Sequence, residues 1–217
     1  MNPYRILKAQ ASAISAIIIA GASLIVGLAI LMYLQSMLSI YSSEVQRDAF
    51  LSREMNTQVL KLIAIDSSSN TVWILLRRLD NRSIGFMIAL AIENSTHIVF
   101  ANCDSVKYYE PLYDNNGILC DAEDDDCIDS VEYDSVSLQQ VMINVNQRWA
   151  PLIAYLNSLN LILSRDTTPI CLIPYSGGNR IVKLDIGQVN ADKLRLFLLS
   201  TWGNEYYVIA ESIVNLG

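Results

Sequence analysis

The residues best equipped for chemistry crowd into positions 104–134. Eleven carboxylates lie there (Asp104, Glu110, Asp114, Asp121, Glu123, Asp124, Asp125, Asp126, Asp129, Glu132, Asp134) against one base, Lys107, with Tyr108, Tyr109, Tyr113 and Tyr133 among them. Carboxylates this dense repel one another, and Ca²⁺, which takes oxygen ligands, would relieve the repulsion. Asp121, Glu123, Asp124, Asp125 and Asp126 are the calcium candidates. The EF-hand pattern is not met, because Gly117 stands fourth counting from Asp114 and not sixth. A solvated acidic surface loop that holds no ion is the competing reading of the same stretch.

The other reactive groups are few. Cys120 and Cys127 flank the acidic octet CDAEDDDC, and a disulfide between them would leave Cys103 and Cys171 as the remaining pair. Connectivity stays open at the level of sequence. A zinc site is disfavoured, since no C-x-x-C occurs and His97 is the lone histidine. That histidine falls in a strand-like run, and no second group stands ready to serve as base for a nucleophile. The stretch YSGGN at 175–179 lacks the lysine and hydroxyl of a phosphate loop and reads as a hairpin turn. No enzymatic activity and no cofactor other than calcium are expected. Asn81-Arg82-Ser83 and Asn94-Ser95-Thr96 match the glycosylation acceptor pattern, so Asn81 and Asn94 are modification candidates.

The elements that must carry these groups begin with one apolar segment. From Ala9 to Ser43 there are 35 residues without a charge, while Arg5 and Lys8 precede them and all 22 acids follow. As a helix this run would be about 52 Å long, against the ~20 residues that cross a bilayer core. It is also longer than the apolar region of a secretory signal, typically about 7–15 residues. The two bases predict a cytoplasmic N-terminus and an external main domain on a single span. The part beyond Ser43 carries 13 bases and 22 acids. This acidity, with no basic stripe along the sequence, argues against nucleic acid as a partner.

Small residues crowd the first half of the run: Ala11, Ser12, Ala13, Ser15, Ala16, Ala20, Gly21, Ala22, Ser23, Gly27 and Ala29. Such faces let helices approach closely in an apolar medium. The second half, YLQSMLSIYSSEVQRDAF, mixes polar and apolar residues and predicts a helix that has left lipid, with Tyr33 near the interface.

A short basic leader, then Lys8-Ala9, then QASAISAIIIAGASLIVGLAI resembles the class III signal and helix of archaeal type IV pilin-like proteins, a family of pilins, archaellins and related surface proteins. The resemblance covers roughly the first 45 residues. It implies a peptidase cut between Ala9 and Gln10, with Lys8 just before it, after which the helix leaves lipid and packs with copies of itself. The leader departs from the pattern in having Leu7 before Lys8. The mature helix would carry Ser12 and Ser15 where bacterial pilins place a glutamate.

Beyond Asp48 the pattern turns to strands. TQVLKLIAID, TVWILLRRL, IGFMIALAIE, HIVFAN, PICLIPY, RIVKLDI, KLRLFLLST and EYYVIAES are apolar runs parted by short polar turns, the pattern of an antiparallel sandwich or barrel. Residues 138–163 differ. Leu138, Met142, Val145, Trp149, Leu152, Leu156, Leu159 and Leu163 step by four and three, which predicts a helical segment, kinked near Pro151, lying on the sheet or pairing as a coiled coil.

The expected fold class is therefore α+β. Residues 1–9 form a leader and 10–50 a hydrophobic helix. Residues 51–217 form an external β-sandwich-like domain with an acidic loop at 104–134 and the helical segment 138–163. Two functions follow. One is a structural subunit or minor component of an archaeal pilus-like filament, its helix in the core and its head displayed for adhesion. The other is a single-pass anchored binding or accessory module that does not polymerise. Expected partners are copies of the chain or related subunits, the membrane and a cell-surface layer.

Overall fold

A computed structural model describes residues 3–66, 68–80, 82–109, 128–175, 177–186 and 191–216, with side chains described for Ser15 and from Ile17 onward, apart from those of Tyr109, Ile128–Ser130 and Glu132. Lys8, Ala9 and Gln10 have helical backbone, but their side chains lie outside the described set. Asn81, Cys120, Cys127 and all five calcium candidates also fall outside the described residues.

The chain opens with helix α1, Pro3–Thr57, which is 55 residues long. It divides between two compact units, 1–49 and 50–217. The first unit is a bare helix. Its stretch from Ile17 is long and apolar enough to cross a membrane. Its large apolar side chains from Ile17 to Val45 keep between 49% and 71% of their surface exposed.

The second unit begins inside the helix. Residues 50–57 run seven beyond the expected helix end at 50 because their inner side already belongs to the head. Leu51 is 1% exposed, and Phe50 packs on Trp202 with ring centres 5.3 Å apart. The strands follow: β1 Gln58–Asp66, β2 Thr71–Arg78, β3 Phe86–Asn94, β4 His97–Phe100, β5 Val106–Tyr109, β6 Ile128–Ser130, β7 Glu132–Ser137, β8 Val141–Val145 and β9 Arg148–Pro151. Helix α2, Leu152–Ser158, comes next. Then come β10 Ile162–Leu163, β11 Thr167–Ile173, β12 Asn179–Asp185, β13 Lys193–Trp202 and β14 Glu205–Asn215.

The strands form two sheets. One has the order β1-β2-β12-β5-β6. The larger has the order β10-β4-β3-β13-β14-β8-β9, with β11 bridging β3 and β7. Pairing is antiparallel except at β10–β4 and β14–β8. The main core lies between the sheets. Val72, Ile74 and Leu76 from the first meet Ile88, Leu90, Leu194, Leu196 and Leu198 from the second. A second core lies on the opposite face of the larger sheet, where Ala89, Ala91, Phe197 and Leu199 are covered by Leu152 and Leu156 of α2.

This layering explains why β3 and β13 read as unbroken apolar runs. Both of their faces are buried, so alternation of apolar and polar residues disappears. The outer sheet has one buried face, and β2 alternates accordingly. Gly85 precedes β3 because an added Cβ would sit 2.7 Å from the Ile173 carbonyl oxygen.

The eight strands expected from sequence are all present. The helical segment expected at 138–163 is corrected. Helix occupies 152–158, and 141–151 is a hairpin. Val141, Ile143 and Val145 are β-branched at period two, and Asn146-Gln147 turn the chain with φ of 52° and 65°. The apparent heptad ran Met142, Val145 and Trp149 of the hairpin on into Leu152 and Leu156 of the short helix after it. Pro151, whose missing amide a helix start tolerates, stands just before α2.

Cys103 and Cys171 form a disulfide that spans 68 residues and joins the turn before β5 to β11. Of the two pairs weighed from sequence, this is the one lying within the described residues. Closing a loop of that length restricts the unfolded chain. Reduction, or Cys171→Ser, is expected to lower unfolding stability by about 2–5 kcal/mol, read from denaturant melts with and without reductant.

Candidate functional site

Three features of the described structure stand out: the exposed helix, the ion cluster at the junction of the last turns of α1 with β2, and a second charged network on the larger sheet.

The helix carries a groove lined by Ile19, Ala22, Ser23, Val26, Gly27 and Ile30. These positions share one face at steps of three and four. The Ser23 hydroxyl donates to the Ile19 carbonyl at 2.8 Å, so it presents no unsatisfied donor. A Cβ added at Gly21 or Gly27 meets nothing within 4 Å. Neither glycine is required by packing within this chain, although each costs about 1 kcal/mol of helix propensity relative to alanine.

The junction is a buried ion cluster. The Glu54 side chain is 4% exposed, Arg78 1% and Asp80 8%. Arg78 Nη2 donates to Glu54 Oε2 at 2.9 Å and to Asp80 Oδ2 at 3.0 Å, while its Nε donates to Asp80 Oδ1 at 3.0 Å. Arg82 Nη1 reaches Glu54 Oε1 at 3.4 Å, and its Nε reaches Asp80 Oδ2 at 3.0 Å. Gln58 Nε2 adds a bond to Glu54 Oε2 at 2.7 Å. Two carboxylates thus face two guanidiniums in a fork geometry that lysine could not supply. Hydrogen bonds from Arg78, outweighing the effect of burial, hold Asp80 down at about 2. The same bonds to Asp80, with Glu54 adding to them, raise Arg78 above its ordinary value.

A second network stiffens the covered face of the larger sheet. Arg195 Nε donates to Glu93 Oε2, Arg195 Nη1 to Glu211 Oε1 and Lys193 Nζ to Glu93 Oε1, at 2.6, 2.8 and 3.0 Å. Tyr155 of α2 donates to Glu211 Oε2 at 3.3 Å. Burial would raise Glu93, but the bonds from Arg195 and Lys193 prevail and hold it below its ordinary value. Burial, with Glu211 nearby, pushes the Tyr155 hydroxyl up. These groups neutralise one another in place.

The remaining candidates are dispersed. His97 is exposed at the start of β4, with Nδ1 3.2 Å from the Thr96 hydroxyl. Asn94 is exposed at the adjoining hairpin tip. No group of three or more metal-ligating side chains occurs among the described residues. An open cleft of about 320 Å³ is lined by Val136, Gln140, Thr201, Gly203, Asn204 and Tyr206, a set without carboxylate, histidine or lysine. Sequence reading missed both ion networks. The only local signal was the run Arg77-Arg78-Leu79-Asp80-Asn81-Arg82, and nothing in it pointed back to Glu54.

Comparison with protein-family models, curated proteins and solved structures finds no match.

Glu54→Gln would leave Arg78 buried beside a neutral amide. It should cost about 3–5 kcal/mol of head stability in chemical denaturation, as expected when one partner of a buried pair is removed. Because Asp80 is depressed to about 2, its stabilising contribution is complete above its unfolded value near 4 and is lost as pH falls toward 2. Melting temperature should therefore hold steady down to about pH 4 and drop below it. An Asp80→Asn variant should show a shallower drop across that window.

Proposed function

We propose that the chain is a structural subunit, or a minor component, of an archaeal type IV pilus-like surface filament. Its apolar helix would form part of the filament core by packing against copies of itself or related subunits. Its disulfide-bonded β domain would be displayed outside for adhesion. The chain is assigned no reaction and no cofactor.

One observation carries this reading. A bilayer core covers about 20 helical residues. Here large apolar side chains stay exposed from Ile17 to Val45, a span of 29 residues. The excess would face water if the helix stayed singly in lipid, whereas a sheath of neighbouring helices would cover it. Two features agree. Gly21 and Gly27 are not needed for packing within this chain and fit a close-approaching neighbour. The Cys103–Cys171 disulfide suits an oxidising exterior. The orientation follows from Arg5 and Lys8, and the processing site from the Lys8-Ala9-Gln10 pattern.

The test is the N-terminus of the native protein. Mass spectrometry of membrane and filament fractions should find Gln10 first, and Lys8→Glu should leave the leader attached and keep the protein out of filaments. An intact leader on a protein that sediments singly in mild detergent would instead support the tethered binding or accessory module.

A further inference from the structure

The β3–β4 hairpin carries Asn94-Ser95-Thr96 at its tip. Asn94 closes β3, His97 opens β4, and the two are cross-strand partners. All four residues from Asn94 to His97 are exposed. The turn is held in place from both sides. Ser95 takes a φ of 47°, and its amide donates to Asp192 Oδ2 at 2.6 Å. The Thr96 carbonyl accepts from the Ile162 amide at 2.7 Å. The side-chain amide of Asn94 makes no hydrogen bond among the described residues.

The face that Asn94 shares is incompletely covered. Ile92, two residues earlier on β3, packs against the main core. Residues two apart on a strand point the same way, so Asn94 lies on that face too. Val99 is the cross-strand partner of Ile92, and Ile162 of β10 is in register with His97. Leu163, next to Ile162, belongs to the core on the opposite face. Asn94, His97 and Ile162 therefore stand in one row, with Ile92 and Val99 in the next. Ile92 is half-buried, but Val99 keeps 46% of its surface exposed and Ile162 56%. Along the sheet, both lie within about 10 Å of Asn94.

We propose that Asn94 carries an N-linked oligosaccharide that lies back over Val99 and Ile162. Asn94 Nδ2 forms a bond to the anomeric carbon of an activated donor, a saccharide joined through that carbon to a phosphate. The carbon–oxygen bond to the phosphate breaks, the phosphate leaves with the electron pair, and the amide proton passes to a base of the transferase. The acceptor pattern needs an asparagine with a hydroxyl two residues on, and Asn94 and Thr96 supply them. The added group is bulky and solubilising, so it belongs on the surface, where the tip places it. The neighbouring face offers exposed apolar side chains that the C–H faces of sugar rings can cover. A turn held at both Ser95 and Thr96 gives the first sugar a fixed base. The inference rests on the placement of the head outside the cell, which the filament and tethered readings share.

Peptide mapping of the chain purified from its native cells separates the two acceptor patterns, because trypsin cuts at Arg82 between them. After reduction, the peptide from 83 to 107 should carry added saccharide mass in most copies. Asn94→Gln and Thr96→Ala should each lose it, while Thr96→Ser, which keeps the hydroxyl, should retain it. Loss of the glycan should lower the melting temperature of the head by about 2–4 °C. In a Val99→Ser/Ile162→Ser background the same loss should shift melting by less than half as much, the sign of a contact between glycan and patch. A bare peptide from 83 to 107 would overturn the proposal and leave the filament reading to its own test at the N-terminus. A glycan whose loss shifts melting equally in both backgrounds would overturn its placement over Val99 and Ile162.

Discussion

Glu54 is the point on which the molecule turns. It lies on the last turns of a 55-residue helix, yet its carboxylate is buried in the head between Arg78 and Arg82. A buried carboxylate is tolerable only when charges of opposite sign and hydrogen bonds replace its water. The β2 end and the turn after it provide both, with Asp80 balancing the second guanidinium. The cluster is electrically neutral and directional, so it fixes the rotation and depth of residues 50–57 in a way that apolar burial of Leu51 alone would not. Whatever the helix does elsewhere, its end is part of the head's own fold.

The head can accept that helix end because its sheets are layered unevenly. The larger sheet is buried on both sides, and its central strands contribute to two cores at once. The smaller sheet covers one of those cores and leaves its outer face to solvent. The Cys103–Cys171 link across 68 residues and the Glu93–Arg195–Glu211 network under α2 tie these layers together.

Much of this was legible along the chain. The uncharged run to Ser43 announced a helix suited to an apolar setting, because composition alone decides that preference. The eight principal strands were readable from their apolar runs and turns, since period and punctuation are local properties. The hairpin at 141–151 was not read. Its Met142, Val145 and Trp149 satisfied a helical step while Val141, Ile143 and Val145 kept a strand's alternation, and the deciding residues, Asn146 and Gln147, hold left-handed conformations that show only in the fold. Chain order also hid that β5 pairs with β12 and that α2 is short.

The amino-acid sequence by itself determined the apolar helix, its charge asymmetry, the acidic balance of the head and the set of principal strands. Each of these depends on residues close together in the chain. Only the tertiary structure decided which carboxylate meets Arg78, which cysteines pair, and that Lys61, Arg77, Lys107 and Lys183 share one face of an acidic domain. Those outcomes depend on strand order and register. Partners such as Trp73 and Lys183, 110 positions apart, become neighbours only when backbone hydrogen bonds align them, and no local pattern records that alignment.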